Sequence, residues 1–369
     1  MSYKFNPFTG KLDFFQKIQE NQGNTTINFV PGDIIETIDT ENRDYSQFEV
    51  ISYGLSLPVT AKAGANAGYQ VRAQGQSDVR GDEIWIFSGC ANNSSLSNEV
   101  RVYNVKTNSW RKPTNVPVAI RDGGAVYDKE NDVFYYGIGP TNYNVTTFTN
   151  TFWKYNPVAN AWTELASFPD LRAFGTGLIF YNGLIYAFPY SYKDEQGNGS
   201  YSKVWIYNPS DDSWNEYIDL QNFRYAYPVL YKDTKIVSVL FDDTVSPAHW
   251  YFVMSDLNDL TNYEILYDIE EMHSQYNRKF WDKPAVKNGF ALYNLYNYST
   301  TYNESKEIGI FDIVFKKYLG VFTYKQISCL NSVLHFVDDT FVAIGGTSLS
   351  QKVDIVTGFD RLTRKLRIK

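Results

Sequence analysis

The amino-acid sequence predicts an all-β fold: a β-propeller of six blades, each of four antiparallel strands, with an extended N-terminal arm. Three observations support this prediction. Short runs of β-branched and aromatic residues, separated by turn residues, fill most of the 369-residue chain. Apolar residues almost nowhere follow a helical period. A tyrosine and a tryptophan seven residues apart recur three times, with successive tryptophans 52 residues apart, at Tyr103/Trp110, Tyr155/Trp162 and Tyr207/Trp214.

The repeat extends on both sides of these three copies. A β-rich run at 82–89 leads into the first of them, and weaker copies follow at 229–267, 286–322 and 334–368. Four short strands that repeat every ~40–55 residues are typical of a propeller, because one sheet alone cannot bury both of its faces. The units span 69–369, and a seventh blade built from 24–60 is the alternative count.

Two residue types in the repeat have a predicted structural role. Each tryptophan offers a large apolar surface that can pack between neighbouring blades. An asparagine follows each repeated tyrosine, at positions 104, 156 and 208. Its side chain can cap the backbone of a tight turn.

These units resemble kelch repeats. The resemblance rests on the strand that ends at Gly345-Gly346, on the Tyr-Asn strand and on the tryptophan seven residues after the tyrosine. It implies a kelch-type propeller over 69–369. Some kelch domains bind acidic peptides, so a cellular interaction module of that kind is one alternative function.

The N-terminal segment does not fit the repeat. Residues 1–20 resemble the leader Asn-Pro-Phe-Thr-Gly-x-Leu-Asp of many structural proteins of tailed bacteriophages. This resemblance implies docking onto another virion protein, and apolar side chains provide anchors that a neighbouring subunit could bury. The alternative is an ordinary first strand and turn of the propeller. The predicted docking residues are Phe5, Asn6, Pro7, Phe8, Thr9, Gly10, Leu12 and Asp13.

The predicted domain division follows from these two segments. Residues 1–20 form the docking peptide, residues 21–46 form a polar, turn-rich linker, and residues 47–369 form the propeller.

The composition argues against several classes of site and partner. The chain has only three His and two Cys, and its net charge is −7. These numbers argue against a disulfide scaffold, a His-rich metal site and nucleic acid as the main partner. There is no signal-peptide pattern and no apolar run of about 18 residues, so we expect synthesis in a host cytoplasm and no membrane insertion.

Catalytic motifs for nucleophilic, phosphate or zinc chemistry are missing from the sequence, so we predict no catalytic residue, no metal and no cofactor. Paired carboxylates such as Asp242-Asp243 could serve a glycosidase. Adjacent residues of a strand point to opposite faces, however, which favours a turn or surface role for this doublet. A carbohydrate-active enzyme remains a minor alternative.

Long loops on one face of the propeller are the predicted binding surface. Strand order places the loops between the second and third strands of every blade on the same face. Their mixture of tyrosine with Asn, Ser, Thr and Gly resembles the composition of recognition loops. The tyrosines assigned to this surface are Tyr143, Tyr190, Tyr192, Tyr201, Tyr296, Tyr298 and Tyr302.

Arginines recur just before the first strand of four blades, at spacings of 51, 52 and 54 residues. One interpretation is an anion site at the channel mouth. The other is a structural role, in which each arginine bonds to crossover carbonyls and a neighbouring blade. These residues are Arg121, Arg172, Arg224 and Arg278.

The combined prediction is a virion protein of a tailed bacteriophage, a fibre or a head- or tail-associated protein. Its leader would dock on the capsid, portal or tail. Its propeller would bind a host-surface glycan or protein, or another virion protein.

Overall fold

The computed structural model describes most of the propeller region and part of the N-terminal region. The described residues are 2–6, 11–15, 26–27, 48–54, 59–62, 76–89, 95–107, 109–142, 144, 146–170, 173–192, 203–221, 223–242, 244, 249–269, 278–279, 283–297, 307–323, 332–338, 340–345, 353–356 and 363–368. The chain divides into two compact units. Unit 1 comprises Met1–Thr60, Asp339–Phe341 and Val356–Lys369, and unit 2 comprises Ala61–Asp338 and Val342–Ile355.

The first strands of the chain belong to the N-terminal region. They are β1 (Ser2–Asn6), β2 (Lys11–Phe15), β3 (Thr26–Ile27), β4 (Phe48–Gly54) and β5 (Val59–Lys62). Strands β1 and β2 pair as an antiparallel hairpin.

Antiparallel sheets follow one another along the chain. Sheet A contains β6 (Ser77–Arg80), β7 (Glu83–Phe87), β8 (Val100–Asn104) and β9 (Ser109–Arg111). Sheet B contains β10 (Gly124–Asp128), β11 (Val133–Pro140), β12 (Phe148–Asn156) and β13 (Ala161–Leu165). Between sheets B and C, β14 (Ala173–Phe174) pairs with β17 (Ser191–Tyr192). Sheet C contains β15 (Gly177–Tyr181), β16 (Leu184–Phe188), β18 (Lys203–Asn208) and β19 (Ser213–Asp219).

The remaining sheets have less regular sequences. Sheet D contains β20 (Phe223–Lys232), β21 (Lys235–Asp242), β22 (His249–Asp256) and β23 (Asp259–Asp268). Sheet E contains β24 (Arg278–Lys279), β25 (Ala285–Lys287), β26 (Phe290–Asn297), β27 (Glu307–Asp312) and β28 (Lys317–Thr323). Sheet F has the order β29 (Ser332–Val337), β30 (Thr340–Gly345), β31 (Val353–Val356) and β5. The last strand, β32 (Thr363–Ile368), pairs with β3 and β4.

The all-β propeller is confirmed, but the predicted count of six four-stranded blades is wrong. The described residues form five four-stranded blades (sheets A, B, C, D and F), not six, and sheet E has five strands. The reason lies in β26, which is eight residues long and pairs with two short strands. Its first part pairs with β25 and its last two residues pair with β24. In sheet E, β24 and β25 together therefore pair with β26, as a single inner strand pairs with its neighbour in each of the other sheets.

The inner strands of unit 2 form a closed ring. Strand β6 packs against β10, β10 against β15, and so on through β20, β25 and β29, which returns to β6. Glycines allow the close approach. A Cβ at Gly124 would lie 2.4 Å from Leu178 Cγ, and one at Gly177 would lie 2.9 Å from the Cα of Tyr227. Both positions therefore require a residue without a side chain.

The repeated tryptophans pack between sheets, as the sequence predicts. The ring of Trp162 in sheet B lies 6.0 Å from that of Phe87 in sheet A. The ring of Trp214 in sheet C lies 5.0 Å from that of Phe152 in sheet B. Within each repeat, tyrosine and tryptophan stand opposite each other on neighbouring strands, with ring centroids 4.7 to 5.1 Å apart.

The predicted asparagine caps are also present in the three clear repeats. The Oδ1 of Asn104 accepts a hydrogen bond from Thr107 N at 2.9 Å. The Oδ1 of Asn156 accepts from the backbone N of both Val158 and Ala159. The Oδ1 of Asn208 does the same for Ser210. These bonds fix the turn between the third and fourth strands.

A second feature of these turns joins one sheet to the next. In sheet C the hydroxyl of Tyr207 donates to Asp212 Oδ1 at 2.7 Å, and the same oxygen accepts from the backbone N of Ala166, just after sheet B, at 2.8 Å. Asp212 has φ of +50°, a backbone conformation that Asp and Asn tolerate best after glycine. We call this arrangement the tyrosine–Asx bridge.

The tyrosine–Asx bridge recurs in sheet B. The hydroxyl of Tyr155 donates to Asn160 Oδ1 at 2.6 Å, and that oxygen accepts from Thr114 N of the chain after sheet A at 2.9 Å. Asn160 has φ of +52°. In both sheets the tyrosine and the Asx residue are five positions apart. The bridge therefore joins sheet A to sheet B and sheet B to sheet C.

Replacement of Asp212 by Ala is expected to lower the free energy of unfolding by about 2 kcal/mol, since it removes two hydrogen bonds and places a Cβ-bearing residue without a polar side chain at positive φ. Urea denaturation followed by tryptophan fluorescence measures this. Asp211→Ala is the matched control, because Asp211 bonds only within its own turn, to Ser213 and Asn208. Equal losses for the two variants would contradict a role of the bridge between sheets.

A polar cluster lies among the inner strands. His335 on β29 is buried, with Nε2 2.9 Å from Ser77 Oγ of β6. Lys283 Nζ donates to the carbonyl of Ser77 at 3.1 Å and lies 4.0 Å from Asp78 Oδ1. Burial, aided by the charge of Lys283 and opposed by that of Asp78, lowers the pKa of His335 to about 3. His335 is therefore neutral in the folded protein at pH 7.

Stability is expected to depend on the titration of His335. Because the folded pKa is about 3 and the unfolded pKa is about 6.5, the unfolded state binds the extra proton between these values. The stabilisation is fully present above pH 6.5 and declines as the pH falls, by at most ~1.4 kcal/mol per pH unit. Urea midpoints between pH 6.5 and 5 should fall more steeply in the wild type than in His335→Gln. Identical slopes would refute the assignment.

Candidate functional site

Aromatic residues meet at the loop end of sheet D. Phe241 near the end of β21 stands opposite Trp250 near the start of β22, and their ring centroids are 4.6 Å apart. This pairing follows from the register, because cross-strand neighbours share one face of a sheet. Tyr190, just after β16 of sheet C, stacks on Trp250 at 5.9 Å with an interplanar angle of 24°.

An arginine completes this group. Arg224 of β20 stands opposite Phe241, and its Cζ lies 4.8 Å from the centre of the Phe241 ring. A guanidinium over an aromatic face gains a cation–π attraction that fixes its position. All four side chains are partly exposed to solvent. We call Tyr190, Arg224, Phe241 and Trp250 the aromatic ledge.

A pair of polar side chains lies on the opposite face of sheet D. His249 Nε2 lies 2.9 and 3.1 Å from the two carboxylate oxygens of Asp268, and its ring stacks on Tyr251 at 4.9 Å. Adjacent strand residues point to opposite faces, so His249 and Trp250 occupy opposite faces of β22. Loop-end residues of sheet D thus offer a stacking surface on one face and a hydrogen-bonding pair on the other.

Arg121, a predicted channel-mouth residue, has a different environment from Arg224. Its Nε donates to Asp122 Oδ2 at 2.6 Å, and its backbone N donates to the carbonyl of Pro140 at 3.0 Å. The pKa of Asp122 is raised by burial, against the opposing effect of Arg121. The carbonyl of Asp122 accepts from Gly175 N at 2.6 Å. Arg121 is thus paired with Asp122, whose carbonyl bonds to the chain just before sheet C.

The other predicted residues are described less fully. Tyr192 lies on β17, and Tyr296 and Arg278 lie on β26 and β24, which pair with each other. Phe5 and Asn6 lie on β1, and Leu12 and Asp13 lie on β2. The remaining ones lie outside the described residues: Tyr143, Tyr201, Tyr298, Tyr302, Arg172, Pro7, Phe8, Thr9 and Gly10. The binding role of all these residues stays a prediction.

The sequence predicts a long loop between the second and third strands of each blade, but it did not identify the aromatic residues that flank this loop in sheet D. Phe241 and Trp250 lie in strands, and only the register brings them together. The sequence feature that could have revealed these residues is an aromatic residue at each end of a long loop between two strands of one blade.

Among the described residues, no group of three or more His, Cys, Asp or Glu side chains is arranged to hold a metal ion. The same part of the chain contains no helix with the length and hydropathy of a membrane span.

Comparison with known proteins relates the chain to kelch proteins. No family model matches it. A kelch domain-containing protein of Sulfurisphaera tokodaii is 37% identical over 89 residues, which are 24% of this chain and 12% of that protein. Kelch-like protein 40 of Xenopus tropicalis is 26% identical over 148 residues, 39% of this chain and 23% of that protein. This chain therefore spans less than a quarter of either relative.

A solved structure supports the same fold. The structure of YjhT aligns with a TM-score of 0.54 at 12% identity, over 82% of this chain and 99% of YjhT. At that identity the likeness concerns the fold alone. This likeness supports the propeller fold, and the two relatives show that part of the chain is similar to kelch proteins.

Proposed function

We propose that the propeller is a non-catalytic binding module of a tailed-bacteriophage virion and that the aromatic ledge contacts a glycan on the host surface. The observation that carries the binding proposal is the stack of Tyr190, Trp250 and Phe241 with Arg224. These rings are partly exposed and hold each other in place, so binding costs little side-chain entropy. Their faces suit the apolar C–H faces of a sugar ring.

Polar chemistry beside the rings supports a hydroxyl-rich ligand. Arg224 stands on the same face as Phe241 and Trp250 and carries N–H donors for sugar hydroxyls. A site that combines ring faces with a few fixed polar groups gives orientation as well as affinity.

Tyr190→Ala is expected to weaken binding of the purified protein to host cells about fivefold, corresponding to ~1 kcal/mol for one aromatic stack. The matched control is Tyr181→Ala, which removes a partly exposed tyrosine at the hairpin between β15 and β16. Binding is measured by flow cytometry with labelled protein, and circular dichroism verifies the fold of both variants.

Treatment of the cells separates the ligand classes. Periodate oxidation of surface glycans should abolish binding, whereas protease treatment should leave it intact. Loss after protease alone would replace the glycan by a protein partner, as in the alternative of an interaction module for acidic peptides. Release of soluble saccharide by the protein would replace the binding module by a carbohydrate-active enzyme.

The leader residues carry the virion part of the proposal. Asn6 and Lys11 stand opposite each other at the end of the β1–β2 hairpin, so the motif spans the connection between the two strands. Register places Tyr3 opposite Phe14 and Phe5 opposite Leu12, and these positions share one face of the hairpin. A two-stranded hairpin is marginally stable alone, which favours a partner that covers the apolar face. We assign that role to the capsid, portal or tail.

Phe5→Lys is expected to reduce the amount of this protein in purified virions at least tenfold, because it places a charge at an apolar position of the hairpin. The control is Lys4→Ala, one residue away and on the other face, which should leave the amount unchanged. Quantitative mass spectrometry of virions measures both. Normal incorporation of Phe5→Lys, or equal loss for both variants, would remove the docking role from this face.

A further inference from the structure

The inner strands of unit 2 surround a cavity of about 280 Å³. Strands β6, β10, β15, β20 and β29 line it, together with β25 and the two residues before it. Most of the lining residues have apolar side chains, among them Val79, Val126, Leu178, Val229, Val286 and Phe336, although polar atoms form nearly half of the exposed wall. By comparison, an apolar cavity of ~150 Å³ holds benzene. This cavity has room for a ring of that size and a polar substituent.

Polar groups of the cavity are concentrated at Asp78, Lys283 and His335. The Asp78 carboxylate is already bonded to the backbone, since Oδ1 accepts from Val79 N at 2.9 Å and Oδ2 from Tyr127 N at 2.8 Å. Lys283 lies 4.0 Å from this carboxylate, beyond hydrogen-bond distance.

The ammonium of Lys283 has capacity for a further acceptor. It carries three N–H donors, and the Ser77 carbonyl accepts one of them. Its side chain is only 16% exposed, so its charge is poorly screened by water. His335, close by and buried, adds a neutral imidazole bonded to Ser77 Oγ.

We propose that this cavity binds a small organic carboxylate with an apolar body, whose carboxylate accepts a hydrogen bond from Lys283 and whose body contacts the valines and Leu178. An anion would satisfy the lysine without displacing the backbone bonds of Asp78. An apolar body would replace water along the valine and leucine side chains, which offer water no hydrogen bond. The inner strands form this site, whereas loop-end residues form the aromatic ledge. An experiment that refutes binding at one site therefore leaves the proposal for the other site intact.

Benzoate is a suitable probe, and benzyl alcohol is its neutral counterpart of similar size. Isothermal titration calorimetry of the full chain at pH 7 should show saturable one-to-one binding of benzoate. The affinity for benzyl alcohol should be at least tenfold lower. Lys283→Met should lower the affinity for benzoate at least tenfold. Lys287→Met is the matched control, because Lys287 is a partly exposed lysine of β25 that lies outside the cavity lining and bonds to the carbonyl of Asp338.

Three results would overturn the proposal: no saturable binding of benzoate, equal affinity for the two probes, or unchanged affinity in Lys283→Met. If Lys283→Met does not fold, the affinities of the wild-type protein for benzoate and benzyl alcohol test the proposal instead. Val229→Phe provides a second variant, since the larger side chain fills the cavity and should abolish binding of both probes. Retained binding in that variant would place the ligand elsewhere.

Discussion

The propeller depends on a hydrogen bond that crosses from one sheet to the next. In the tyrosine–Asx bridge, the side chain of Asp212 or Asn160 accepts a backbone N–H from the end of the preceding sheet, while a tyrosine hydroxyl holds that side chain in place. Hydrophobic contact between sheets is non-directional and does not by itself fix their relative position. The bridge is directional, so it fixes the position at which Trp162 and Trp214 pack against the preceding sheet.

Both proposed sites follow from this constraint. The aromatic ledge combines Tyr190 of the chain after β16 with three residues of sheet D, so it requires a fixed relation between sheets C and D. There the hydroxyl of Tyr217 donates to the carbonyl of Leu257 at 2.7 Å, which joins the two sheets by a similar bond. The central cavity draws its lining from the inner strands around the ring and requires the whole ring to close.

The sequence predicts local features better than those that depend on neighbours. The Tyr–Trp spacing, the cap by Asn156 and the packing of Trp162 follow from residue type and period alone. The second role of Asp212 does not, because it depends on a positive φ and on a donor 46 residues away. The division of inner pairing between β24 and β25 follows from the length of β26, which loop composition does not reveal. In the candidate site, Tyr190 was predicted from its loop, whereas Trp250 required the strand register.

Hydrogen exchange at two backbone amides tests the central claim most directly. Thr114 is exposed and Ala166 partly exposed, and both lie just after the last strand of a sheet. Without the bridge, their N–H groups would face water. The bridge predicts that nuclear magnetic resonance of the native protein will show both amides exchanging at least a hundredfold more slowly than unprotected amides. Exchange at the unprotected rate would show that neither amide is held by the next sheet and would contradict this account of how the propeller is assembled.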